Sequence, residues 1–275
     1  MKTVIGKIVK YIVIIISALF ILYPLFFSII TSLKSKETYV ESPLGVSFDS
    51  LSFDNFIKIS NNFNFLQKMS NTALVVVTSL LIIFAFSIPS AFYLCNMKNR
   101  IVKHFLTIIC FSFMFIPEEV LIIPECNLMS KLGLINNYFS VIIIFVAISL
   151  PECIYLLHMY FSLIPSTIVN AARLDGATEL QCLKRLVIPV CKGPIIVVLF
   201  TTGIALWNSF LIPMLMLYDE DKKLLLPSLS GLITKHSTTP TYQMAGLLLS
   251  MIPLVFVYIV FRRHIYEISI NGAIH

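Results

Sequence analysis

The chain has 275 residues, 58% hydrophobic and only 12% charged, with a formal net charge of +6 and a mean hydropathy of +0.92. Too little polar surface remains to cover a soluble core, so an ordinary globular domain is excluded and an integral membrane protein is indicated. The basic residues are not gathered with aromatics on one exposed face, which argues against nucleic acid as a partner and leaves the positive balance as a topology signal.

A bilayer core of about 30 Å takes about 20 apolar helical residues. Runs of that kind occur at about 9–32, 71–96, 105–126, 138–159, 194–217 and 243–261. Backbone groups cannot stay unpaired in lipid, and these runs are too long and too uniformly apolar for barrel strands. The predicted fold class is therefore an all-α integral membrane protein, six transmembrane helices forming a single transmembrane domain over 1–275. The first run exceeds the apolar core of a signal peptide and no small-residue cleavage pattern follows it, so it is read as a retained span.

Lys2, Lys7 and Lys10 precede the first span, Lys98, Arg100 and Lys103 follow the second, and Arg262 and Arg263 follow the last. The bias of short cytoplasmic loops toward Lys and Arg then puts both termini inside, in a multi-pass protein of the cell membrane. The segment carrying Arg173, Lys184, Arg185 and Lys192 falls on the same side. Lys34, Lys36, Lys58 and Lys68 in the first outer loop oppose this count, although acids accompany them.

Cys95, Cys110, Cys126, Cys153, Cys182 and Cys191 lie in or beside spans with no CxxC pair, which reads as apolar filling rather than a disulfide framework or a metal site. No HExxH, GxSxG or GxxxxGK[ST] pattern is present, so no catalytic residue or metal ligand is assigned and the chain has no means of hydrolysing ATP itself.

Between the fourth and fifth spans lies a polar segment, 164–193, that lipid does not require. Pro165-Ser166 suits the start of a helix running through Ala171 and Ala172 to Leu174. Gly176 stops it, because glycine takes the left-handed conformation past a helix end at little cost. Thr178 and Gln181 have the spacing of a capping box that opens a second helix, with Leu180, Leu183, Leu186, Val187 and Val190 near one face until Pro189 interrupts it. Two short helices about a glycine turn, with small alanines that allow close approach, describe either a docking knob or a solvated loop.

The residues Asn170-Ala-Ala-Arg-Leu-Asp-Gly-Ala-Thr followed by Ile188-Pro189 resemble the cytoplasmic signature of ABC-importer permeases. Tyr23-Pro24 with Thr31-Ser32-Leu33-Lys34, Ile116-Pro117, Ile123-Pro124, Leu132-Gly133-Leu134-Ile135-Asn136-Asn137 and Trp207 to Pro213 resemble, in order, the first, third and fifth spans of maltose-type sugar permeases. The tail, Phe261-Arg262-Arg263 through Gly272-Ala273, resembles that of the smaller maltose permease.

That resemblance implies a permease subunit of an ATP-driven sugar importer and not an enzyme. Its partners would be a dimer of ATP-binding subunits, a second permease subunit, an extracytoplasmic sugar-binding protein and membrane lipid. ATP and Mg would belong to the ATPase, and no cofactor to this chain. The 170–189 loop would be the coupling helix between helices 4 and 5, with Gly176 setting the turn, Ala171, Ala172 and Ala177 allowing close packing, Asp175 capping or pairing at the turn, and Leu183 presenting apolar surface. Asn170 stands where the family usually has glutamate, and Leu183 where an aromatic is common.

FIPEEVLIIPEC in the third span brings Glu118 and Glu119 near mid-membrane between two prolines, which suggests a broken helix lining a path. These acids are either hydrated in an outward mouth or in contact with solute. Glu152, Trp207 and Asn208 are the other transport-path candidates, with packing as the alternative for the tryptophan. Two other functions stay open: an ABC permease for a polyamine or peptide, and a proton-coupled secondary transporter in which Glu118, Glu119 and Glu152 titrate. The latter would need internal repeat symmetry, and the two halves show no convincing repeat.

Overall fold

The structure, a computed structural model, describes residues 2–45, 51–232 and 240–271. Gly272 and Ala273, at the end of the tail pattern, lie outside the described residues. In chain order the helices are α1 (Lys2–Leu33), α2 (Lys36–Glu41), α3 (Asp54–Asn62), α4 (Phe65–Asn96), α5 (Arg100–Phe113), α6 (Glu118–Lys131), α7 (Tyr138–Phe161) and α8 (Ser166–Leu174). They continue as α9 (Glu179–Val190), α10 (Lys192–Asn208), α11 (Leu211–Met216), α12 (Leu225–Ser230) and α13 (Thr241–Asn271). Among the described residues the one extended feature is an isolated antiparallel bridge between Lys34 and Leu51.

Four helices are long and apolar enough to cross a bilayer alone, namely Val9–Leu33 of α1, α4, α7 and Thr241–Arg263 of α13. Two bent pairs, α5 with α6 at 94° and α9 with α10 at 80°, bring the count to as many as six when each pair is taken as one span. The third span is thus not one rod over 105–126. Its ladder closes in tight i→i+3 bonds, Phe115 N–H to Ser112 O and Ile116 N–H to Phe113 O. Pro117 then has no N–H to continue the ladder and serves as the N-cap of α6. The fifth span ends sooner than 217, since α10 stops at Asn208 and α11 resumes after a break.

The chain divides into two compact units, Met1–Lys68 with Leu225–Ile252, and Met69–Leu224 with Pro253–His275. In the first, Lys34 is only 1% exposed and its ammonium donates to the carbonyls of Ser42 at 2.8 Å and Pro43 at 3.0 Å. Asn55 donates to the carbonyls of Ser32 and Lys34, each at 2.8 Å, fixing the end of α1 on α3. Lys68 is also buried, its ammonium 5.0 Å from the Phe63 ring centre. Two of the four lysines that opposed the orientation count are therefore sequestered structural groups.

In the second unit a core of Val75, Ile83, Phe92, Val141, Phe145, Leu157, Val198 and Trp207 joins α4, α7 and α10. It continues into the loop that follows α7 through Cys182, Leu183, Val187 and Cys191. Leu132-Gly133-Leu134 ends α6 in a turn with Gly133 at φ +67, Gly133 N–H reaching Ser130 O and Leu134 N–H reaching Met129 O. Asn137 then caps α7 by accepting from Phe139 N–H at 3.0 Å.

Candidate functional site

The 164–193 segment folds as its residues dictate. Pro165 is the N-cap of α8, whose buried Val169 anchors it. At the far end Ala177 N–H bonds Ala172 O and Gly176 N–H bonds Arg173 O, both at 3.0 Å, with Gly176 at φ +85. This is the paired-bond turn by which helices stop at a left-handed glycine. Thr178 accepts from Gln181 N–H at 3.3 Å while Gln181 Oε1 accepts from Thr178 N–H at 2.8 Å, a complete capping box that opens α9. An 80° bend then sets α9 across the direction of α10 rather than along it.

The face of α9 differs from the predicted stripe. Between Cys182 and Val187 the backbone is π-helical, Ile188 N–H bonding Leu183 O five residues back. The physical reason is Pro189, which cannot donate the next ladder bond. The wider turn gathers Cys182, Leu183, Val187 and Cys191 inside, and leaves Leu180 and Val190 exposed. Leu183 is 7% exposed and belongs to the core cluster; the apolar surface of the knob comes instead from Leu174, 89% exposed, and Leu180.

Of the other loop candidates, Asn170, Ala171, Asp175 and Gly176 are exposed, while Ala172 and Ala177 are half-buried and pack on the core. Among the described residues the Asp175 carboxylate has no hydrogen-bond or ion-pair partner; its backbone N–H closes α8 on Ala171 O. A Cβ at Gly176 would meet nothing within 4 Å. Beside the turn a hollow of about 420 Å³ is bordered by Ala172, Gly176, Ala177 and Arg185.

Arg173 was legible only as a charge. Its guanidinium grips Glu179 with both arms, Nε to Oε1 at 2.8 Å and Nη2 to Oε2 at 3.0 Å, and donates to Asn170 Oδ1 at 2.9 Å and to Asn96 Oδ1 at 2.8 Å. The Glu179 hydrogen bond holds Arg173 above its ordinary pKa, and Arg173 holds Glu179 below its own. The signal available in sequence was the i, i+3 pair of Asn170 and Arg173 on one helix.

The transport-path candidates lie on three helices, α6, α7 and α10. Glu118 and Glu119 are the first-turn residues of α6, where unpaired N–H groups and the helix dipole favour negative charge. Glu152 is exposed on α7, and Asn208 is exposed at the end of α10. Among the described residues no hydrogen bond or ion pair joins either to the acid pair. Trp207 is buried in the core cluster. Glu125, a third acid of the same span, was not singled out from sequence, yet its Oε2 is buried with no hydrogen-bond partner.

The family model for the binding-protein-dependent transport system inner membrane component matches residues 83–267. The chain is similar to the arabinooligosaccharides transport system permease protein of Halalkalibacterium halodurans, 26% identical over 257 residues that cover 91% of this chain and 90% of that one. It is likewise similar to the multiple sugar-binding transport system permease protein of Streptococcus mutans, 26% identical over 279 residues and 96% of each chain. Among solved structures it resembles a chain of a bacterial ABC transporter involved in the import of the acidic polysaccharide alginate. That likeness has a TM-score of 0.79 at 26% identity and covers 94% of this chain and 96% of the other.

Proposed function

The chain belongs to the family of binding-protein-dependent transport system inner membrane components, and we infer from that membership that it is a permease subunit of an ATP-driven sugar importer. It is a transport subunit, not an enzyme, and it spans the membrane several times. The saccharide class follows from the relatives, whose names specify arabinooligosaccharides and multiple sugars.

Its partners in this reading are a second permease subunit that completes the path, a dimer of ATP-binding subunits that holds ATP and Mg, and an external sugar-binding protein. Both termini and the 164–193 loop face the cytoplasm. The loop docks on the ATPase, and closure of the ATPase pair turns the path by rigid-body motion. Asn170, Ala171, Asp175, Gly176 and Ala177 form the docking tip with Leu174 and Leu180, while Ala172 and Leu183 root it in the bundle.

One observation supports this reading: the paired bonds at Gly176 and the adjoining capping box close a polar hairpin on which Leu174 and Leu180 stay exposed. The test is purification in mild detergent, identification of the co-eluting chains, and reconstitution into liposomes. Saccharide uptake that needs enclosed ATP and survives discharge of a proton gradient supports the importer. Uptake without any ATPase that collapses with the gradient makes the chain a secondary transporter.

A further inference from the structure

The coupling role inferred above requires that a push on the knob reach the spans, and this inference rests on that role. Between the knob and the C-terminal end of α4 lies a cleft of about 1030 Å³, bordered by Tyr93, Asn96, Lys98, Arg173 and Leu180. The root of the knob packs on the spans through Ala172, Leu183 and Val187, but across the cleft itself there is no van der Waals contact to carry a displacement. Arg173 bridges it: Nη2 reaches Asn96 Oδ1 at 2.8 Å, while the other contacts of the guanidinium stay within the knob, on Asn170 and Glu179. The Asn96 amide is itself oriented, since its Nδ2 donates to Phe92 O at 2.8 Å and so turns its oxygen toward the arginine.

We propose that Arg173 is a positioning residue that fastens the coupling knob to the end of the second span, so that α8, the start of α9 and α4 move as one body during the transport cycle. The planar fork suits the task. It satisfies acceptors on three separate segments at fixed angles, which the single ammonium of a lysine does not reproduce. Glu179 neutralises the charge and stiffens the fork, and Asn96 receives the push.

The test uses the complete transporter in liposomes and reads solute moved per ATP hydrolysed, with ATPase retained on purification as the assembly control. Arg173→Ala and Asn96→Ala should each lower that ratio about tenfold while the ATPase is retained, on the scale of one lost charge-assisted bond. The double variant should fall no further, because both changes break the same link. Asn96→Asp, whose carboxylate still accepts from Nη2, should keep the wild-type ratio. A wild-type ratio in Asn96→Ala, or losses that multiply in the double variant, overturns the proposal; Asn96→Ala decides alone should Arg173→Ala fail to insert. If the wild-type chain purifies without an ATPase, the coupling role fails instead. Amide exchange in the isolated chain then judges the clasp: faster exchange over 170–179 in Asn96→Ala upholds it, and unchanged exchange refutes it.

Discussion

Asn136 holds Asp219 by both ends of one side-chain amide: Nδ2 donates to the carboxylate while Oδ1 accepts from the Asp219 N–H at 3.1 Å and from the Tyr218 N–H at 3.3 Å. Asn136 sits at φ 62, a conformation asparagine tolerates better than most residues, and its own N–H reaches Met216 O at 2.7 Å. The segment after α6 is thereby fixed to the segment after α11. Asn136→Ala loses the bonds and adds backbone strain, whereas Asn136→Gly loses only the bonds. Both should lower stability, the alanine variant by about 1 kcal/mol more and hence with the lower thermal midpoint. Equal midpoints would show that the left-handed backbone contributes nothing here.

The acids at these turns set a pH window. Asn136, and then Lys222, hold Asp219 below its ordinary value of 3.8, and Arg173 holds Glu179 below 4.5. A carboxylate whose folded pKa is depressed stabilises fully above its unfolded pKa and loses that contribution as pH falls through the folded value. Asp219→Asn and Glu179→Gln should therefore differ from wild type in thermal midpoint at neutral pH. They should converge on it only as pH falls through the folded values, which lie below 3.8 for Asp219 and below 4.5 for Glu179. A difference that persisted in acid would assign the effect to shape rather than charge.

Lys34 gives a sharper case for structure over topology. Lys34→Met leaves the Ser42 and Pro43 carbonyls without their donor, and hydrogen bonds to charged groups contribute about 1.5–3 kcal/mol each. The midpoint in detergent should fall by several degrees, while accessibility labelling of the termini finds the orientation unchanged. An inverted orientation would show that Lys34 acts as a topology charge after all.

At Gly176 the penalty is in the backbone alone. Gly176→Ala should cost about 1 kcal/mol of stability, for its Cβ points into open space. Gly176→Leu should cost little more in stability, yet it places a branched side chain on the docking tip. ATP-driven uptake should then disappear while insertion into the membrane stays normal. Full uptake in that variant would remove the tip from the docking surface.

Asn170 presents an amide where a carboxylate is usual in the family, and its oxygen is already engaged by Arg173. Asn170→Glu puts a second acid within reach of the guanidinium, in competition with Glu179, and adds a charge at the tip. Retention of the ATPase during purification should become more salt-sensitive, as expected for an exposed ion pair. Unchanged salt dependence would mean that charge at this position has no part in docking.

The spans were readable because lipid leaves the backbone no alternative: long apolar runs such as the one that became α7 must be helices. The glycine turn and the capping box were readable because each depends on residues a few positions apart, Gly176 after Leu174 and Gln181 after Thr178. Three features were not. The stripe on α9 failed because a proline changed the helical repeat upstream of itself. Leu183 turned inward for the same reason. The Arg173–Asn96 bond joins residues 77 positions apart, a separation at which no local period operates.

The π-helical stretch from Cys182 to Val187 contains, in effect, one residue more than an ordinary helix needs to bridge its ends. Removing a single residue there would restore the common repeat and leave the helix on either side in its present register, because the wider turn absorbs the extra residue.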